Sequence, residues 1–356
     1  MIVPSIRFSR RDESGFFSEL RKRVDQYFTQ NNLTKTGGSR MIWKAVGMMS
    51  FYLTPLVLIL SGLFSGWVLL PLAIWMGIGL AGVGMSVMHD ACHNAFSDKQ
   101  WVNRIFAASM YLVGGNVYNW KIQHNTLHHT FTNIHHADHD IGGKGLMRLD
   151  KHEKHKAMHK LQHIYAPMLY TLMTVSFHFK DFRQVFMWAP QQGKKVFYKQ
   201  LVNLLIGKLV FISLMLLPYF VLPISFGTWV LGFLIVNLTA GFILAGIFQL
   251  AHIVEETDQP LPNEEGMMEN TWAVHQLQTT SDFARKNLFL GWYAGGLNFQ
   301  VEHHLFPNIC HLHYPKLSEI VENTAREFNI PYHAHQTLSE ASVSHIKALY
   351  RLGHQV

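Results

Sequence analysis

Three histidines fall within six residues in the stretch Trp120–Asn133, WKIQHNTLHHTFTN: His124, His128 and His129. On an α-helix, His124 and His128 sit one turn apart on one face, and His129 lies about 100° further round. Neutral imidazole is the commonest metal-ligating side chain. Imidazoles on two adjacent faces could serve two metal ions at once. Three ligands are not a complete set, so the rest of the chain must supply others.

Candidates for them lie in three places. His89 and His93, in HDACH, have the i, i+4 spacing that puts two rings on one helix face. Gly295–Pro307, GGLNFQVEHHLFP, carries Gln300, His303 and His304. On a helix Gln300 is three and four residues from those rings. Its carbonyl oxygen could act as a weak ligand or orient one. Glu302 could do orienting work or be a solvated charge. His252 follows a long apolar run, as His89 does. The eight histidines exceed what one four- to six-coordinate ion can take, so two metals fit better. A nitrogen-rich set without thiolate suits iron, zinc, copper or nickel, and residue type alone does not choose among them.

Other histidines have blander explanations. His152, His155, His159 and His163 form a stripe among lysines and read as one face of a cytosolic amphipathic helix. His135, His136 and His139 sit in a loop beside Asp138 and Asp140 and are not expected to be direct ligands. His311 and His313 read as a turn and helix start. His275 and Asp282 read equally as lining of the site's mouth or as packing.

The elements that must hold these ligands follow from composition. Of 356 residues, 49% are apolar and only 15% charged, against about 25% charged in soluble domains. This suits a membrane protein with large aqueous parts. The net charge of +7 points to an anionic membrane surface rather than nucleic acid, because basic runs interleaved with aromatics are missing. Cys92 and Cys310 are too few for a disulfide framework. The polar first 40 residues do not read as a signal peptide.

Ala45–Gly62 and Trp67–Met88 are uncharged apolar runs joined by a short turn. Leu209–Phe226 and Gly227–Ala251 make a second pair, bent at Pro218–Pro223. Each run can cross roughly 30 Å of hydrocarbon. Phe106–Val117 and Ala166–Phe177 are short for spans and read as interfacial or buried helices. The fold expected is all-α and integral to a membrane: four transmembrane helices in two hairpins, with a cytosolic helical cap carrying a His-rich di-metal site. The division expected is a cytosolic segment 1–44, a membrane domain 45–317 with cytosolic segments 89–208 and 252–317, and a cytosolic segment 318–356. All 30 Lys/Arg and all 23 His then fall on one side. The positive-inside rule places that side in the cytosol. Phe17–Phe28 reads as an amphipathic helix, either lying on the membrane or packed on the domain.

The pattern H-x3-H, H-x3-H-H, Q-x2-H-H resembles the integral-membrane fatty acid desaturases, from the first hairpin to about residue 317. QVEHHLFP looks most like the front-end group, the Δ5/Δ6 acyl and Δ8 sphingolipid enzymes, in which Gln replaces the first His of the third box. The resemblance implies two non-haem irons, with O2 as co-substrate. It places His89, His93, His124, His128, His129, His303 and His304 on the metals, Gln300 in the place of a ligand His, and His252 as the extra His after the last span. Adjacent pairs such as His128 and His129 would be divided between the irons. It also implies a fatty acyl substrate carried on CoA, phospholipid or a carrier protein, and a lipid bilayer around the spans. No HPGG haem motif occurs, and residues 1–41 are too short for the cytochrome b5 domain fused to many relatives. An external donor such as ferredoxin or cytochrome b5 is therefore expected. So is a bacterial inner-membrane location, with both termini cytosolic. Trp120, Phe299 and the aromatics of 283–293 read as tunnel walls or interfacial anchors.

Two other readings compete. A di-iron lipid hydroxylase would use the same ligands, which cannot discriminate the product. A membrane metal transporter or haem protein would need polar ligands within the spans. The four uncharged runs contain no His, Asp, Glu, Lys or Arg.

Overall fold

The computed structural model describes residues 4–9, 12, 14–142 and 145–355. Its regular structure is helical apart from one two-stranded pairing and one isolated bridge among the described residues. Four helices are long and apolar enough to cross a membrane: α2 (Gly38–Leu60), α3 (Gly66–Cys92), α8 (Lys194–Val221) and α9 (Phe226–His252). The expected second hairpin had no gap between its runs. Here Leu222–Ser225 break it, and the Ser225 hydroxyl accepts from the Thr228 amide to cap α9.

The helices outrun the uncharged stretches. Lys44 lies within α2 and Lys208 within α8. Lys208 is tolerated because its Nζ donates to Asp181 Oδ2 (2.7 Å) and to the carbonyls of Gly114 and Phe177 (2.6 and 2.9 Å). The pairs also pack across hairpins. α3 lies between α2 and α9. A Cβ on Gly79 would meet the Tyr52 backbone of α2 at 2.6 Å, and one on Gly77 would meet the Val236 carbonyl of α9 at 2.7 Å. Small residues permit such close crossings.

The remaining helices form a cap at one end of the four. α1 (Phe16–Gln30) comes first, and its Phe16, Leu20, Val24 and Phe28 recur every four residues. This stripe is buried against α13 (Tyr314–Glu327), on Leu317, Val321 and Ala325. Full burial of each such side chain contributes roughly 1.5–3 kcal/mol. Arg23 seals the contact on Glu327 (2.7 Å). The apolar face of Phe17–Phe28 is thus packed on the domain, and the membrane-surface reading is corrected.

α4 (Gln100–Ala107), α5 (Val117–Trp120), α6 (Gln162–Tyr170) and α7 (Met173–Trp188) follow α3; Ala166–Phe177 falls on α6 and α7, but the helix expected over Phe106–Val117 is corrected, because beyond Ala107 the chain makes a 3-10 turn, Ala108–Tyr111, and a loop to α5. After α9 come α10 (Trp272–Thr279), α11 (Leu288–Tyr293), α12 (Gln300–Leu305), α13 and α14 (Leu338–His354). Two-residue strands, Asp282–Phe283 and Ala334–His335, pair in parallel and tie the end of the chain to the segment before α12.

Candidate metal centre

All nine residues expected at the metals converge in the cap, and all are buried. His89 ends the apolar core of α3, and His93 caps it. His252 is the last residue of α9. Gln300, His303 and His304 lie on α12.

The second box departs from the expected α geometry. Lys121–His128 is wound as a π-helix, continuing α5. A π-helix bonds residue i to i+5, and His124 and His129 are five apart. The wider turn brings the Nε2 atoms of these two rings to 3.3 Å. A π-turn at Gly84–Met88 also precedes His89. Gly295 packs directly on that turn: a Cβ there would meet the Met85 carbonyl at 2.4 Å, and its φ is +62°. Only glycine suits both conditions. The first and third boxes are thereby held against each other.

Two groups of ring nitrogens result, each group's atoms lying within 4.8 Å of one another. One is His89, His93, His124 and His303; the other is His128, His252 and His304. His303 and His304 are therefore divided between groups. His129 stands with the first group through His124, and its ring also stacks on His304 at 4.3 Å. Gln300 belongs beside the second, its amide 2.9 Å from His252 Nε2.

Outer partners fix four rings. His124 Nδ1 meets Asp140 Oδ2 at 3.1 Å, and His128 Nδ1 meets Asp138 Oδ2 at 2.9 Å. His304 Nδ1 meets Gln276 Oε1 at 2.7 Å, and His303 Nδ1 meets the Tyr314 hydroxyl at 3.2 Å. A ring that donates from Nδ1 keeps an Nε2 lone pair for a metal. The Nε2 atoms of His93, His128, His303 and His304 are buried without a hydrogen-bond partner, as are Nδ1 of His89, His129 and His252. Buried polar atoms are normally satisfied. His89 and His124 also face each other Nε2 to Nε2 at 3.3 Å, a contact that repels unless a cation or proton lies between. The donor set fits metal ions.

Electrostatics agree. Burial, helped by the neighbouring rings, holds His93, His129, His303 and His304 well below the usual imidazole range. Burial brings His124 to about 4 despite Asp140. Neutral rings are the metal-binding form. His128 is the exception: burial lowers it, but the charge and hydrogen bond of Asp138 outweigh that and raise it.

The sequence reading missed Asp138, Asp140, Gln276 and Tyr314 as partners of the rings. Their signal was weak: two carboxylates within a dozen residues of the second box, in a loop whose histidines drew the attention. Phe248 was also missed; it packs on His128 (5.1 Å) and His252 (4.6 Å). Trp120 stacks on His124 at 4.5 Å, but Phe299 is buried in the α1–α13 core. Glu302 is not solvated. It is fully buried, accepting from the Tyr332 hydroxyl (3.0 Å), which also donates to Asp282 (2.6 Å). Burial and the charge of Asp282 raise its carboxyl well above the usual range. His275 is packing, on the Thr132 carbonyl at 2.8 Å.

Comparison with known proteins gives a family. The family model described as fatty acid desaturase matches residues 65–336. The chain is 34% identical to the sn-1 linoleoyl-lipid 6-desaturase of Synechocystis sp., over 98% of both chains. It is 34% identical to an acyl-lipid (8-3)-desaturase of Physcomitrium patens, over 98% of this chain and 74% of that one. It is 30% identical to the sn-1 linoleoyl-lipid 6-desaturase of Arthrospira platensis, over 95% and 92%. Four membrane-length helices, two buried histidine groups and these relatives agree, and the chain belongs to the fatty acid desaturase family, as a membrane oxidoreductase acting on fatty acyl chains.

Proposed function

We propose that this protein inserts a cis double bond at the Δ6 or Δ5 position of a lipid-linked acyl chain, using two irons held by the two histidine groups. His89, His93, His124, His129 and His303 hold one iron. His128, His252 and His304 hold the other, with Gln300 beside them as an oxygen ligand or as the group that orients His252. The observation that carries this reading is the set of buried ring nitrogens left without partners, converging from four segments. The names of the relatives support the position of the new bond.

When bound, the iron pair supplies the O2 chemistry: two hydrogens leave adjacent methylenes and, with two electrons and two further protons, O2 becomes two waters. The chain's own residues do the rest. Asp138, Asp140, Gln276 and Tyr314 hold ring orientation and tautomer. Burial of all nine residues keeps bulk water from the centre. Placing the centre at the end of the membrane helices lets an acyl chain leave lipid with little apolar exposure to water. The asymmetry of Lys and Arg supports a cytosolic centre and cytosolic termini in a bacterial inner membrane. Electrons come from a separate carrier, of the ferredoxin or cytochrome b5 kind.

The same ligands could serve a hydroxylase, but the relatives named above are desaturases. Expression in a bacterial host fed linoleic acid, followed by gas chromatography of the fatty acid methyl esters, tests the reading. A triene with a new double bond near the carboxyl end is expected. A hydroxylated acid without a new double bond would overturn it.

A further inference from the structure

α2 carries a buried lysine whose hydrogen-bond partner is a ring and not a carboxylate. Lys44 is 7% exposed. Its Nζ meets His311 Nε2 at 2.6 Å, and the Trp292 ring covers it at 5.5 Å. His311 Nδ1 meets Asp90 Oδ2 at 2.8 Å, and the His311 backbone N–H donates to the same oxygen at 3.3 Å. An ammonium only donates. His311 Nε2 must therefore accept from Lys44, and its Nδ1–H donates to Asp90. The three residues come from α2, from α3 and from the 3-10 turn His311–His313 ahead of α13. Gly296 makes room for the ring: a Cβ there would meet His311 Cβ at 2.6 Å.

This buried chain ends beside the metal centre. Asp90 follows His89, and its Oδ1 lies 3.9 Å from His89 Nδ1. That nitrogen is buried and has no hydrogen-bond partner. The other nitrogen of the ring, Nε2, faces His124. A ring that binds a metal through Nε2 carries its proton on Nδ1, and the proton needs an acceptor. In the same group, His124 has Asp140 and His303 has Tyr314 for this purpose. Asp90 Oδ1 stands about an ångström short of hydrogen-bond range from His89.

We propose that Asp90 is the positioning residue of His89 in the first histidine group, and that Lys44, acting through His311, holds Asp90 in place for it. The inference rests on the reading of the histidine groups as metal sites. Asp90 gives one oxygen to His311 and keeps the other for the His89 ring. Lys44 supplies the charge that compensates a carboxylate buried at this depth. Asp90, Cys310 and His311 also offer three metal-binding atoms within 4.8 Å of one another. The Lys44 ammonium is already the cation of this cluster, so the carboxylate needs no metal of its own.

The test uses the full-length chain in lipid nanodiscs, stripped of iron with a chelator and titrated with cobalt(II), whose ligand-field absorption reports each site. His304→Ala, which spares the first group, assigns the bands. Asp90→Asn lowers the cobalt affinity of the first group by about tenfold and shifts its absorption, with the second group unchanged. His311→Leu does the same. His311→Gln, whose amide can accept from Lys44 and donate to Asp90, restores most of the affinity. Should Asp90→Asn fail to fold, the contrast between His311→Leu and His311→Gln decides alone. Unchanged first-group affinity in Asp90→Asn or in His311→Leu overturns the proposal. So does an equal loss at both groups, which marks a general role in stability. So does a third cobalt ion in the wild type with thiolate-to-cobalt absorption, which would make the cluster around Cys310 a metal site of its own. The metal reading of the histidine groups fails separately, if the wild type shows no cobalt band at either.

Discussion

Two sets of histidines in this chain are similar in sequence and opposite in use. His124, His128 and His129 converge on other rings. His152, His155 and His159 form no such cluster of ring nitrogens: their ring contacts are single pairs, His155 with His159 at 5.9 Å and His152 with His135 at 6.0 Å. The difference is not burial, because His159 is as buried as His128. It lies in what occupies the ring nitrogens. His152 Nε2 meets the Gln259 carbonyl at 2.9 Å, and His155 Nε2 meets that of Gly353 at 2.8 Å. His159 accepts from the Lys156 amide at 3.1 Å and reaches the Gly145 carbonyl at 3.3 Å. These rings close loops. In the centre, His128, His303 and His304 each have Nδ1 held by a carboxylate, phenol or amide and Nε2 left over. A histidine is ready for a metal when the protein satisfies it by half.

The largest expected effect breaks the converging set. His128→Ala or His304→Ala abolishes desaturation and lowers bound iron, measured as product and as metal per folded chain; full activity in either would remove the ligand assignment. A smaller effect follows from the outer partners. Asp138→Asn and Gln276→Ala each reduce metal affinity or activity by about 10–100-fold, read by titration with a competing chelator. An unchanged affinity would mean that these contacts only pack. Next is Gln300. Gln300→His is milder than Gln300→Ala in both product and iron content, and the reverse order would remove Gln300 from the centre. The smallest effect is in the other set. His152→Ala leaves product per mole of iron near the wild-type value. A loss there comparable to that of His304→Ala would erase the distinction between the two sets.

The nine candidate ligands were legible in the sequence because each stands at a point that hydropathy or local spacing can locate. His89 and His252 follow uncharged runs directly, and the other boxes carry fixed local spacings. Their orienting partners were not legible. Gln276 is 28 residues from His304 and meets it only because α10 crosses α12. The π-winding of Lys121–His128 was also hidden, because residue spacing is read on an α-helix by default. Spans were read short for a related reason. Hydropathy stops at a charge, and Lys208 is a charge whose partners come from elsewhere in the fold. The stripe from His152 to His163 failed as a helix altogether. Residues 151–156 are not helical, Ala157–Leu161 is a 3-10 turn, and only His163 lies on α6. Its members bond to loop carbonyls instead.

The central claim is that two separate histidine groups hold two irons. Iron per chain in the purified protein, by mass spectrometry and Mössbauer spectroscopy, tests it most directly. The account predicts about two irons in the wild type, with both His303→Ala and His304→Ala losing iron. One iron per active chain, or an active enzyme whose metal is not iron, would contradict it.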